Sequence, residues 1–302
     1  MSEDFVPAAG ATFVDQVLGF TVASRNVRGR LVRLGPVLNE VLAAHDYPPA
    51  LRHALAEALV LTALMGSLLK SPENQLTLQA QSQDGAADLL VCDYLEGKLR
   101  GYLRFDTAAV ALLGSNPSVP ALFGQGHLAV TFDMGESGQR YQGIVPLEGA
   151  SLAGACETYF TQSEQIPTLI RVAVRSGPDG CTAGGMLCQH LPEGEEGRER
   201  LHVRMDDPDW DHIAALGGSI RHEELVDTGL SLEDLTWRLF HEESEVRVAH
   251  GAVLERGCRC SSEYYTSILA RFPESERVHM RDESGVIAVD CAFCSRVFEI
   301  ML

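Results

Sequence analysis

Residues 257–294 read GCRCSSEYYTSILARFPESERVHMRDESGVIAVDCAFC, and their four cysteines decide how the chain is organised. Cys258 and Cys260 form a C-x-C pair; Cys291 and Cys294 form a C-x-x-C pair thirty residues later. Four thiolates suit tetrahedral zinc, with Zn–S near ~2.3 Å. Each pair can aim two sulfurs at one ion if the intervening chain folds back. The pattern predicts the parts for this: a helix over 262–271, a break at Pro273, and a strand over 285–290 leading into the second pair. The spacing therefore predicts one zinc ion on the reduced thiolates of Cys258, Cys260, Cys291 and Cys294. Residues 251–302 are too few to build a sufficient core alone. Metal would supply the folding energy, of order ~10–16 kcal/mol in small zinc modules. Only eight residues follow Cys294, which leaves no βαβ context for a thioredoxin-like use of the second pair.

Two purposes suit such a cluster. One is an inert structural staple. The other is a redox switch, because metal-bound thiolates are poised for oxidation where they are accessible. An oxidant would form a sulfenic acid, a neighbouring thiol would condense with it, and the metal would leave. Both pairs offer such a neighbour. In the C-x-C pair, two Cα–Cα steps of ~3.8 Å can span the ~4.4–6.8 Å that a disulfide needs.

The rest of the chain sets the context. It has 302 residues, is 45% apolar and carries a net charge of -18. That suffices for one large domain plus something smaller. The acidic balance disfavours nucleic acid, which recruits Lys and Arg, and disfavours an anionic membrane surface. The N-terminal MSEDFVPAAG lacks a basic region followed by an apolar one, so no secretory signal is expected. The apolar stretch 54–69 is too short and too polar for a membrane span. A cytoplasmic location is expected, where thiols stay reduced. The dispersed Cys92, Cys156, Cys181 and Cys188 then read as small core residues.

Residues 1–192 read as an α/β core domain of α+β class, with helices between groups of strands. Strands are predicted over 26–34, 75–80, 88–94, 98–105, 127–132, 139–145, 168–174 and 186–190, with Glu96-Gly97 turning a hairpin. Helices are predicted over 36–45, 49–70 and 151–165. The second is apolar around most of its girth, which marks a buried helix. Residues 193–250 read as a charged, partly helical linker. Its first part, EGEEGRERLHVRMDDPDWD (193–211), is strongly acidic, and Ser231 caps a helix over SLEDLTWRLFHEE. Residues 251–302 form the zinc module. No P-loop, G-x-G-x-x-G, H-E-x-x-H or G-x-S-x-G motif is present, so no enzyme is expected.

On these residues the chain resembles the bacterial redox-regulated heat-shock chaperone, the 33-kDa chaperonin family. CRCSSE…VDCAFC carries the resemblance most specifically. RGRLVRLGPVLNEVLAAHDYP (28–48), LTALMGSLLK (61–70), LTLQAQ (76–81), LRGYLRFD (99–106), SEQIPT (163–168) and GGMLCQHLP (184–192) extend it over nearly the full length. The resemblance implies a redox-regulated, ATP-independent holdase, zinc-bound and inactive when reduced. Oxidation would form the disulfides Cys258–Cys260 and Cys291–Cys294, release zinc, and disorder the linker and module. Implied partners are unfolded client proteins, a second copy in an oxidised homodimer, and ATP-dependent foldases that receive the clients. Departures are Ala56, the loop after Gln81, and Tyr264-Tyr265; none is a metal ligand. The acidic segment 193–211 is sparse in apolar residues for a client-binding surface. Without the resemblance, an interaction adaptor with a purely structural zinc module remains open.

Overall fold

The computed structural model describes residues 15–114, 117–135, 137–177, 180–192 and 206–302. The N-terminal decapeptide and the first thirteen residues of the acidic stretch lie outside the described residues.

Two antiparallel sheets and one buried helix make the core. The chain enters as β1 (Gln16–Val22) and β2 (Val27–Leu34), followed by α1 (Pro36–Leu42) and α2 (Pro49–Gly66). A meander follows: β3 (Asn74–Gln81), β4 (Ala87–Leu95) and β5 (Lys98–Phe105). The β4–β5 turn places Glu96 at φ 51° and Gly97 at φ 78°. Two positive φ angles give the primed turn whose twist matches paired strands. Next come the short helices α3 (Thr107–Ala111) and α4 (Val119–Phe123), then β6 (His127–Met134) and β7 (Gln139–Pro146). Helix α5 (Leu152–Tyr159) runs into a π-helical turn over Phe160–Glu164, and β8 (Thr168–Gly177) and β9 (Gly180–His190) close the core. Helices α6 (Pro208–Gly218), α7 (His222–Leu225) and α8 (Leu232–Phe240) then lead to β10 (Val246–Val253).

The first sheet has the order β10-β1-β2-β9-β8, and the second is built on β5-β4-β3-β6-β7. Helix α2 packs against strands of both, which explains its all-round apolar sequence. Leu51, Leu55, Leu59, Leu61 and Met65 are buried there with Leu78, Leu90 and Leu187.

The first sheet is covered on its other face as well. Leu18, Phe20, Leu31, Met186 and Cys188 pack there against Trp210, Ile213, Leu225, Leu235 and Phe240 from α6–α8. Phe20 and Phe240 have ring centroids 5.2 Å apart. Arg33 on β2 points into this layer, almost fully buried. Its guanidinium donates to the carbonyls of Leu225 (3.0 Å), Leu230 (2.6 Å) and Glu224 (3.2 Å). Desolvation pushes its pKa down to about 10.

The α+β expectation holds, and β1 and β10 add strands to the first sheet that the sequence did not show. Val17 and Leu18 of β1 are both buried, and so are Val32 and Leu34 of β2 beside Leu31. Strands covered on both faces lose the alternation that marks a half-buried strand. The expected strand 186–190 extends back to Gly180, through Gly184 and Gly185. A Cβ on Gly184 would lie 2.2 Å from the Leu225 carbonyl oxygen, and one on Gly185 would lie 2.5 Å from Val60. Those glycines serve close packing on both faces and not a loop. Strand β10 pairs with β1 in the first sheet, so the segment read as a linker contributes a strand as well as helices.

Candidate metal centre

The approach to the first pair is fixed by backbone pairing. β11 (Glu255–Arg256) runs parallel to β5, with Glu255 opposite Lys98 and Arg256 opposite Leu99. Gly257 N–H donates to the Leu99 carbonyl at 2.8 Å. A Cβ on Gly257 would lie 2.3 Å from the Lys98 Cβ, so only glycine allows this approach. Cys258 and Cys260 follow directly. Ser261 then caps α9 (Ser262–Leu269), its hydroxyl accepting from Tyr264 N–H at 3.1 Å. After Pro273 comes α10 (Glu274–Met280), and then the hairpin β12 (Ile287–Asp290) with β13 (Val297–Ile300).

The second pair lies in that hairpin's turn. Cys294 N–H (3.2 Å) and Ser295 N–H (2.8 Å) both donate to the Cys291 carbonyl, and Ser295 takes φ 56°. This tight turn swings both sulfurs to one side. A small apolar floor of Leu269, Ile287, Phe298 and Ile300 lies beneath.

The expected ligands meet. The Sγ atoms of Cys258, Cys260, Cys291 and Cys294 all lie within 4.8 Å of one another. Cys258 Sγ is 3.2 Å from Cys260 Sγ and 3.5 Å from Cys291 Sγ, and Cys260 Sγ is 3.4 Å from Cys294 Sγ. Tetrahedral Zn–S bonds of ~2.3 Å would set the sulfurs about 3.8 Å apart. The cluster thus matches a four-thiolate ion in size and chemistry, and an all-sulfur donor set suits a soft, closed site.

The electrostatics also call for a cation. Burial and neighbouring thiols push the Cys260 pKa up, and burial pushes that of Cys258 up. Burial acts upward on Cys291 too. Hydrogen bonds from the Tyr265 hydroxyl, the Cys294 and Phe293 N–H groups and Cys258 outweigh it and bring the pKa down to about 6. The Cys291 thiolate forms readily, whereas Cys258 and Cys260 resist ionisation until positive charge arrives. A crevice of about 560 Å³, lined by Arg100, Arg259, Tyr264 and Tyr265, reaches Cys260 and Cys291 from solvent. The remaining cysteines are core residues, as expected: Cys92, Cys156, Cys181 and Cys188 are buried. Burial pushes all four thiols up, that of Cys188 to about 12.

A two-sheet α+β core, a layer of short helices on one sheet and a four-thiol module define a class of protein with a metal-sized cluster at the end of its fold. Comparison with known proteins assigns it. The family model described as Hsp33 protein matches residues 15–301. A 33 kDa chaperonin from Caulobacter vibrioides is 39% identical over 98% of this chain and 98% of its own length. One from Yersinia pestis is 34% identical over 93% of this chain and 90% of its own. The crystal structure of a Thermotoga maritima 33 kDa chaperonin superposes with TM-score 0.76 over 95% of both chains at 22% identity, a likeness of fold. The chain belongs to the Hsp33 family. No helix among the described residues is long and apolar enough to cross a membrane.

The contacts that seat the module on the core carried no signal in the sequence. Arg259, between the first two cysteines, and Phe293, between the second two, both face core residues. Only the cysteines around them stood out.

Proposed function

We propose that this protein is an ATP-independent holdase chaperone whose activity is switched by oxidation of the four-cysteine module. One observation carries the reading. Helices α6–α8 hide a continuous apolar layer on the first sheet and lie in the chain between the core and the cysteine cluster. Trp210, Ile213, Leu225, Leu235 and Phe240 would meet water if this layer came away, as would Phe20 and Leu31 beneath them. Large flexible apolar surfaces of this kind accept many partners. The names of the relatives, 33 kDa chaperonins, point the same way.

Cys258, Cys260, Cys291 and Cys294 are the residues that would hold zinc in the reduced state. Bound there, zinc supplies charge compensation and the folding energy that so small a module lacks. A thiolate attacks peroxide, the O–O bond breaks, and sulfenic acid and hydroxide form. A second thiolate attacks that sulfur, forming a disulfide and expelling hydroxide. Repeating this at the other pair consumes all four donors. The pairs Cys258–Cys260 and Cys291–Cys294 are proposed from the family resemblance. The 3.2 Å separation of the first two sulfurs supports the first, and the mutual closeness of all four allows the second. The module then loses order, and the layer α6–α8, joined to it through β10 and β11, follows. The same reading proposes a cytoplasmic location, an oxidised homodimer, and transfer of clients to ATP-dependent foldases after reduction.

The test is suppression of light scattering by a heat-unfolding client. Peroxide-treated protein is expected to suppress aggregation, and reduced protein is not. Equal behaviour of the two forms would favour an adaptor with a structural metal. Peptide mapping after thiol blocking checks the pairing. Cross-pairs such as Cys258–Cys291 would overturn the proposed connectivity.

A further inference from the structure

Within each cysteine pair, the residues that are not ligands are the ones that grip the core. Arg259 donates to Gln75 Oε1 (2.6 Å) and to Asp93 Oδ2 (3.1 Å). The Asp93 side chain is 5% exposed and also binds Arg100 at 2.6 Å. Arg100 in turn lies 4.0 Å over the ring of Phe293, which belongs to the second pair. Beside Phe293, the Ala292 carbonyl is 2.7 Å from His45 Nε2. The next residue after the second pair, Ser295, donates to the Ala44 carbonyl at 2.6 Å. The core thus meets the module through the backs of the two turns whose fronts carry the sulfurs.

This placement has a physical consequence. In a C-x-C or C-x-x-C turn, aiming both sulfurs inward forces the intervening residues outward. Arg259 and Phe293 are presented to Asp93 and Arg100 only while each pair converges on a common centre. Arg100 spans the two turns, since it is bound to the acceptor of Arg259 and stacked on Phe293. Buried ion pairs and cation–π contacts lose much of their worth when the geometry slips.

We infer that the surface formed by Gln75, Asp93, Arg100 and His45 is a docking site that recognises the metal-bound conformation of the two cysteine turns, so that metal retention and module docking are a single coupled equilibrium. This rests on the reading that the cluster holds zinc, and it assigns the core an active part in the switch. Linkage makes the coupling reciprocal: if metal favours docking, docking favours metal by the same factor. Core residues about a turn's width from the sulfurs then set how readily zinc leaves, without being ligands.

The experiment uses the reduced, zinc-loaded full chain and a chromophoric chelator, with no oxidant. Arg100→Ala removes the residue that spans both turns, and zinc transfer is expected to speed up about tenfold. Gln75→Ala removes one acceptor of Arg259 on the surface, leaves the buried Asp93–Arg100 pair alone, and is expected to speed transfer two- to threefold. Arg104→Ala lies on the same strand but pairs with Asp88, and it should behave as wild type. Hydrogen exchange gives the reverse arm. The Glu255 and Gly257 amides, which donate to Gly97 and Leu99, should lose protection when zinc is stripped from wild type. Wild-type transfer rates in both core variants, or retained protection of those amides in stripped protein, overturn the inference alone. A wild-type chain that retains no zinc overturns the metal reading and takes this inference with it.

Discussion

Replacing Phe240 with alanine should loosen the helical layer while the cysteine module stays intact. Phe240 is 0% exposed at the end of α8, and its ring lies 5.2 Å from that of Phe20. Truncating a buried phenylalanine costs about 3–5 kcal/mol, counting lost burial and the cavity left behind. A tenfold change corresponds to about 1.4 kcal/mol, so the undocked-to-docked ratio of the layer rises by roughly 100-fold or more. Trypsin reads this population. Arg221 caps α7 and Arg238 lies on α8, with side chains 71% and 54% exposed. Cleavage still requires the backbone to open, and it follows the open population when closing is fast. In reduced, zinc-loaded protein, Phe240→Ala should be cut at these sites roughly 100-fold faster and should partly suppress client aggregation without oxidant. Trp237→Ala is the comparison, because Trp237 is 65% exposed on the same helix and should change little. Phe240→Ala cleaved within twofold of wild type, with zinc retained, would refute the claim that this apolar layer holds the linker down.

Three further outcomes follow from the same geometry. Arg33→Met removes a buried guanidinium that three carbonyls share, and should weaken docking of α7 and α8 by about 1.5–3 kcal/mol, seen as a lower urea midpoint by tryptophan fluorescence. Glu243 links the layer to the core: burial alone would raise its pKa, but Arg25 (3.1 Å) and His212 (2.7 Å) hold it below the ordinary 4.5. A depressed carboxylate stabilises above its unfolded pKa and loses that contribution as pH falls through its folded value. Docking should therefore weaken below about pH 4.5, and Glu243→Gln should flatten that acid limb in urea titrations at several pH values. Cys260→Ser and Cys291→Ser should each retain far less zinc by metal analysis after dialysis, and unchanged zinc content in both would remove them from the ligand set.

The four-cysteine cluster was legible in the sequence because its pattern is local. Cys258, Cys260, Cys291 and Cys294 are a spacing pattern, and folding only closes it. Helix α2 was legible for a related reason, since Leu51 through Met65 are apolar around most of the helix girth. β1 and the start of β9 were hidden because burial on both faces erases alternation and brings in glycines such as Gly184 and Gly185. The helical layer was legible only in part: Ser231 and SLEDLTWRLFHEE marked α8, while α6 and α7 carried no comparable signal. The acidic stretch 193–211 suggested too little apolar surface, yet Trp210, Ile213, Leu225, Leu235 and Phe240 converge from three short helices. No single window of sequence contains that face. The grip of Arg259 on Asp93 joins residues far apart in the chain and leaves no periodic trace.

The central claim is that oxidation of the cluster and exposure of the client surface are one event. Reduced, zinc-loaded protein is treated with peroxide at elevated temperature, and zinc release to a chromophoric chelator is followed beside light scattering of an unfolding client. The account predicts that zinc leaves as aggregation falls, and that reductant with added zinc reverses both. Zinc that stays bound while peroxide-treated protein suppresses aggregation, or zinc that leaves while the client aggregates unhindered, would contradict it.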